Sequence, residues 1–142
     1  MHNKISDGVY SIQLPHGSSA ITDPGEGRWL NLMHPGELGK DADKIEVRFN
    51  QERGAYSFKF AASKKYITYE GEPSTNNKLC TGDKPRYFRI VQHEYYPEQY
   101  VIYTVENMHF HFAIAFERIF PPWVAMISGS DKQPWDLKKQ DN

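Results

Sequence analysis

GVYSIQL (residues 8–14), GAYSFKF (54–60) and EQYVIYT (98–104) are the stretches on which the fold turns. Each holds a tyrosine, Tyr10, Tyr56 or Tyr100, with apolar residues two and four positions on, or nearly so. Side chains in a strand alternate between faces, so this period marks a strand with one buried face. The tyrosines are spaced 46 and 44 residues apart. A second marker keeps the same phase: Gly39, Gly82 and Gly129 are followed, six residues later, by Ile45, Phe88 and Trp135. These open the alternating runs Ile45-x-Val47-x-Phe49, Phe88-x-Ile90 and Trp135-x-Leu137, and an aspartate stands near each glycine, at Asp41, Asp83 and Asp131. Two independent markers recurring in step define an internal repeat.

Between the markers each unit has room for two more short strands. They are 19–22 and 29–32 in the first, 65–69 and 78–80 in the second, and 110–116 and 123–127 in the third. Turn-forming runs (DPGEG, EGEPSTNN, HPGELGKDAD) separate strands, and helical periodicity is absent over any useful length. Three units of four strands (about 7–53, 54–97 and 98–140) in one domain over 1–142 predict an all-β fold, the β-trefoil. Six strands close a barrel and six cap it as hairpins, and closure removes exposed sheet edges. The competing architecture is a twelve-strand β-sandwich.

Composition narrows the function classes. A chain of 142 residues is one domain by length and buries a core without covalent staples. With 17 basic and 18 acidic residues the net charge is −1, which leaves no electrostatic footprint for nucleic acid or anionic lipid. Cys80 is the single cysteine, so no intramolecular disulfide forms, and MHNKISDG has no apolar signal region; both lead to the expectation of a cytoplasmic protein. No apolar run approaches the roughly 18 residues of a spanning helix. Glu117, Arg118, Pro121 and Pro122 interrupt the most apolar stretch, 107–123. Aromatics make up 14% of the chain, nine of them tyrosines, which favours strands and recognition surfaces.

Several constellations have the residue types of a site. His109-x-His111 lies on one strand, and such a pair supplies two metal ligands. Alternation assigns Phe110, Phe112, Ile114 and Phe116 to the core face and both histidines to the outer one; His2, His16, His34 and His93 show no paired spacing. No metal and no cofactor is expected. Neither Cys80 nor any serine has a nucleophile motif around it, so no catalysis is expected. A shallow sugar site needs an aromatic face with carboxylates or amides beside it; Asp23 with Trp29, and Tyr69 with Asn76 and Asn77, offer that pairing. A protease-blocking loop needs an exposed basic side chain, and Arg28, Lys64, Lys65 and Lys132 all fall in expected turns. Finally, the connection from Glu117 to Pro122 carries Ile119 and Phe120, stiffened by Pro121 and Pro122, where the other two units have the polar DPGEG and GEPSTNN. An exposed apolar tip of this kind is an anchor for another protein. The alternative is a tip folded back onto the barrel.

The fragments DGVYSIQL, GDKPRYFRIV and SGSDKQPWDL together resemble mushroom β-trefoil proteins. Gln133-Pro134-Trp135 is similar to the Q-x-W of ricin-B-type lectin repeats, although the other units read Asp43-Lys44-Ile45 and Arg86-Tyr87-Phe88. The same fragments with Asp23-Pro24-Gly25-Glu26-Gly27 also resemble the mycocypins, fungal inhibitors of cysteine proteases. The group includes the lectin-like light subunit of mushroom tyrosinase, which binds a protein. The mycocypin resemblance implies an asparagine against legumain in the loop Ala61-Ala62-Ser63-Lys64-Lys65, and that loop has none. The resemblance implies a fungal, non-enzymatic, lectin-like recognition protein whose partner is a glycan or another protein. A mycocypin-type inhibitor is the alternative.

Overall fold

The structure of the protein, a computed structural model, describes residues 5–140, so His2 lies outside it. The described chain forms twelve strands. The first unit holds β1 (Gly8–Gln13), β2 (Ala20–Thr22), β3 (Asn31–Met33) and β4 (Ile45–Asn50). The second holds β5 (Ala55–Phe60), β6 (Tyr66–Tyr69), β7 (Asn77–Gly82) and β8 (Phe88–Gln92). The third holds β9 (Tyr100–Thr104), β10 (Phe110–Ile114), β11 (Val124–Ser128) and β12 (Asp136–Lys139).

The first and last strands of each unit close a barrel. β1 pairs with β4, β4 with β5, β5 with β8 and β8 with β9. β9 reaches the last strand through the Tyr100–Trp135 bridge, and β12 pairs back onto β1. The inner strands form the hairpins β2–β3, β6–β7 and β10–β11. This is the β-trefoil.

The two markers read from the sequence turn out to face each other. Tyr10 pairs with Ile45, Tyr56 with Phe88 and Tyr100 with Trp135. Ile45, Phe88 and Trp135 are wholly buried and belong to the same core cluster. Tyr10 and Tyr56 are also buried, whereas Tyr100 is half-buried. Phe58, Phe88 and Phe112 fill the centre with ring centroids 5.0–6.1 Å apart, and the Trp135 indole N–H donates to the Phe112 carbonyl at 3.1 Å. A buried indole without an acceptor would be costly, so this bond fixes the ring's orientation.

The marker glycines meet two different needs. Gly39 and Gly129 have φ of 105° and 127°, a conformation that side chains resist. Gly82 lies in β7 instead, where an added Cβ would come within 3.0 Å of Thr68 Cγ2.

Strand β10 departs from the alternation expected of it. Phe112 is wholly buried and Phe110 half-buried, but Ile114 and Phe116 are exposed; Ala113 and Ala115 take the inward places, and His111 is wholly buried. Only His109 stays outside. β9 accompanies β10 at one pair alone, His111 with Tyr103, where the successive side chains His111 and Phe112 are both buried. Beyond it β10 pairs only with β11, and the large side chains turn to solvent while the small alanines face inward.

Candidate functional site: an aromatic cap on the threefold axis

Where the three hairpins meet, equivalent residues of the three units come together. The Leu30 N–H donates to the Leu79 carbonyl and the Val124 N–H to the Leu30 carbonyl, both at 2.9 Å. All three of these side chains are wholly buried and seal the end of the barrel. The residue before each is therefore also an equivalent set: Trp29, Lys78 and Trp123. Trp29 and Trp123 pack edge to face with centroids 4.8 Å apart. The Lys78 ammonium stands 5.2 Å from the centroid of Trp29 and 5.9 Å from that of Trp123. Such placement of a cation against ring faces is attractive through the rings' quadrupoles.

Lys78 is held there from the other side. Glu117 pairs with it at 2.6 Å and also accepts two bonds from the Asn76 amide, at 3.1 and 3.2 Å. These bonds, with that from Lys78 the stronger, hold the Glu117 carboxyl below the usual glutamate range. Asn76, at φ 64°, uses its carbonyl oxygen to accept the Phe116 N–H at 2.9 Å. The tip of the third hairpin is thus tied to the second. Around this network Trp29 is 44% exposed, Phe116 60%, Ile119 44% and Phe120 90%. The tip does not fold back onto the barrel; Pro121 and Pro122 at its base are half-buried, and the Pro122 carbonyl accepts the Leu32 N–H.

The structure redistributes the other residues singled out in the sequence. Of the proposed sugar set, Trp29 and Asn76 join the cap and the rest do not. Asp23 closes its own turn by accepting the Gly25 N–H at 2.9 Å. Asn77 closes the β6–β7 connection by donating to the Glu70 and Glu72 carbonyls. Tyr69 is buried and so offers no platform: the Arg86 guanidinium lies 3.8 Å from its ring centroid, and its hydroxyl donates to Glu106. Burial and the Glu106 carboxylate push the Tyr69 phenol well up. Burial alone would raise Glu106, but its bonds from Tyr69 and Arg86 outweigh that and hold it below its ordinary value.

The basic turn residues are likewise engaged. Arg28 donates to the Pro24 carbonyl, Lys65 pairs with Asp83 at 2.7 Å, and Lys64 stands 3.8 Å from Glu46. Lys132 is half-buried in the β11–β12 connection. Cys80 is buried, and burial raises its thiol, the opposite of what a nucleophile needs. His111 touches the Tyr103 ring edge-on, and neither of its ring nitrogens has a hydrogen-bond partner of good geometry. Among the described residues no three His, Cys, Asp or Glu side chains stand together as a metal site, and no helix is long and apolar enough to cross a membrane.

Sequence reasoning missed Lys78, Glu117 and Trp123 as site residues. The available signal was positional for two of them: Lys78 and Trp123 stand directly before Leu79 and Val124, as Trp29 stands before Leu30.

No family model matches the chain, and no curated protein matches it by sequence. Solved structures match it throughout. The ricin B-like lectin of Macrolepiota procera, determined in complex with lactose, is 16% identical with a TM-score of 0.80, covering 97% of this chain and all of that one. The Rhizoctonia solani agglutinin is 12% identical, also at 0.80, over 99% of this chain and all of that one. A designed threefold-symmetric protein, ThreeFoil, is 17% identical at 0.75 over 94% of this chain. At these identities the likeness is one of fold, and the match to a designed threefold protein agrees with the repeat described above.

Proposed function

We propose that this is a non-enzymatic, lectin-like recognition protein that binds a glycan at the aromatic cap. The observation that carries the reading is the meeting of Trp29 and Trp123 with Glu117 and Asn76 on one exposed surface. Ring faces take the C–H side of a sugar, and a carboxylate and an amide take its hydroxyls. Lectin neighbours of the same fold, one of them solved with lactose, support this direction.

A glycan array followed by titration calorimetry tests this. Trp29→Ala is expected to weaken the best array ligand by roughly tenfold or more, about 1.4 kcal/mol or above. Full affinity in that variant would overturn the cap as the site, and an array without any ligand would overturn the class. A second reading has its own observation: Phe120, 90% exposed, and Ile119 form an apolar tip with no polar purpose. On that reading the cap anchors another protein, and capture of the partner is lost in Ile119→Ser with Phe120→Ser but not in Asn76→Gly.

A further inference from the structure

A second concavity lies away from the cap, where the β8–β9 connection (93–99) faces the β11–β12 connection (129–135). It is a cleft of about 660 Å³. Tyr95, Tyr96 and Gln99 line one wall, Asp131 and Lys132 the other, and Tyr103 stands between them. We infer that this cleft is a second binding site, for a neutral saccharide. The inference is independent of the cap reading, because no residue is shared.

The cleft is built rather than incidental, and His93 builds it. This side chain is buried, and both its nitrogens are used. Nδ1 accepts the Tyr95 N–H at 3.0 Å and the Tyr96 N–H at 3.3 Å. That leaves the ring proton on Nε2, which donates to the Lys132 carbonyl at 3.1 Å. One imidazole therefore ties the two walls together. The tyrosine loop is braced further: the His93 N–H donates to the Gln99 carbonyl, the Gln99 N–H to the Tyr96 carbonyl, and the Gln92 amide to the Pro97 carbonyl at 2.6 Å. Preorganisation of this kind lowers the ordering cost of binding.

What the braced loop holds out is aromatic. Tyr95 is 74% exposed and Tyr96 55%. Two large rings on a fixed loop, left in water, have no part in the core. Tyrosine suits recognition because it offers a wide apolar face and a hydroxyl at low entropic cost.

Charge and polarity select the ligand class. The carboxylates of Glu94 and Asp131 outnumber the single Lys132 ammonium, which disfavours phosphate, sulfate or an acidic sugar. The Lys132 ammonium in turn disfavours an organic cation. A wholly apolar ligand would leave the polar groups of Gln99, Asp131 and Lys132 desolvated and unpaired. A neutral polyol with a C–H face meets all of these, and the volume is that of an ordinary small-molecule site.

The test is a titration of the full chain followed by amide and indole NMR signals. Galactose, N-acetylglucosamine, mannose and lactose are added to about 50 mM, enough to saturate a millimolar site. Saturable shifts at the amides of Tyr95, Tyr96 and Asp131 with at least one of these sugars are expected. Tyr96→Ala with Asp131→Ala, with the His93 and Gln99 amide signals unmoved as proof that the loop keeps its fold, should then weaken that sugar by roughly tenfold or more. Trp29→Ala should leave it unchanged. The inference is overturned if none of the four sugars moves those amides, if the double variant binds as wild type does, or if inorganic phosphate moves them and the sugars do not. Failure of the cap reading shows separately, in the indole signals of Trp29 and Trp123.

Discussion

The β6–β7 and β10–β11 connections occupy equivalent places and are built on opposite plans. The first, 70–76, is polar and closes on itself: Asn77 reaches back to the Glu70 and Glu72 carbonyls. The second, 115–123, presents Phe116, Ile119 and Phe120 to solvent and is held from outside, by Asn76 and Lys78 of the neighbouring unit. The fold needs only a turn at this place, as the self-closing version demonstrates. The apolar side chains of the third unit are therefore surplus to folding, which is what a binding surface looks like when it has been added to a scaffold.

The strongest way to sharpen that contrast is to compare two phenylalanines of the same hairpin. Phe112→Ala, in the wholly buried core, should cost about 3–5 kcal/mol. Phe120→Ala should fall within about 0.5 kcal/mol of wild type, as surface changes do. Urea denaturation measures both, and a large loss from Phe120→Ala would show that the tip is part of the fold.

The two asparagines should separate the self-closed turn from the tethered one. Asn77→Ala loses two bonds to carbonyls and is expected to cost on the order of 1 kcal/mol of global stability. Asn76→Gly keeps the backbone geometry that φ 64° requires but frees the Phe116 N–H. Its signature is faster hydrogen exchange at Phe116, with global stability changed less than by Asn77→Ala. Equal effects on both readouts would erase the distinction.

At the root of the third hairpin the difference is one of charge. The places that pair with Gln13, Lys59 and Tyr103 are Ala20, Tyr66 and His111. Burial disfavours the imidazolium of His111 and lowers its affinity for a proton. The unfolded chain then binds that proton more readily than the folded one. Stability from this group is complete above the ordinary histidine value of about 6.5 and falls as the pH drops below it. Unfolding at neutral pH and at about pH 5, a step chosen to cross that value, should show a smaller acid loss in His111→Leu than in wild type. An unchanged pH slope would remove His111 from the account.

The smallest effect concerns Glu117. Its carboxyl should titrate below the usual glutamate range, and Lys78→Met should move it back up, since the Lys78 bond is the largest influence on it. Carbon-detected NMR of the side chain reads this directly.

The repeat was legible in the sequence because strand periodicity is local and the Tyr10, Tyr56 and Tyr100 markers recur unmodified. Their pairing with Ile45, Phe88 and Trp135 follows from closure alone. The faces of β10 were not legible. An alternating pattern assumes one covered face throughout; at His111 and Phe112 both faces are covered, and further on the inward face is the one that carries Ala113 and Ala115 rather than Ile114 and Phe116. The cap was legible only in pieces: Trp29 and Asn76 as chemical types, and Ile119 and Phe120 as a break in symmetry. Their union depends on closure bringing residues 29, 78 and 123 to one point, which no local pattern carries. Tyr95 and Tyr96 stand in a proline-bearing connection, HEYYPEQ, whose bracing by His93 no local pattern carries.

A feature that sits on the axis of a repeat protein obeys different arithmetic from one that sits within a repeat. Triplication of a unit gives three chances to keep a site built inside it, but Trp29, Lys78 and Trp123 make one place between them. On the proposed reading the cap would therefore take one ligand per chain, whatever happens to the individual units. A target held there would be coated rather than cross-linked. Clumping of cells or particles would then have to draw on some other contact.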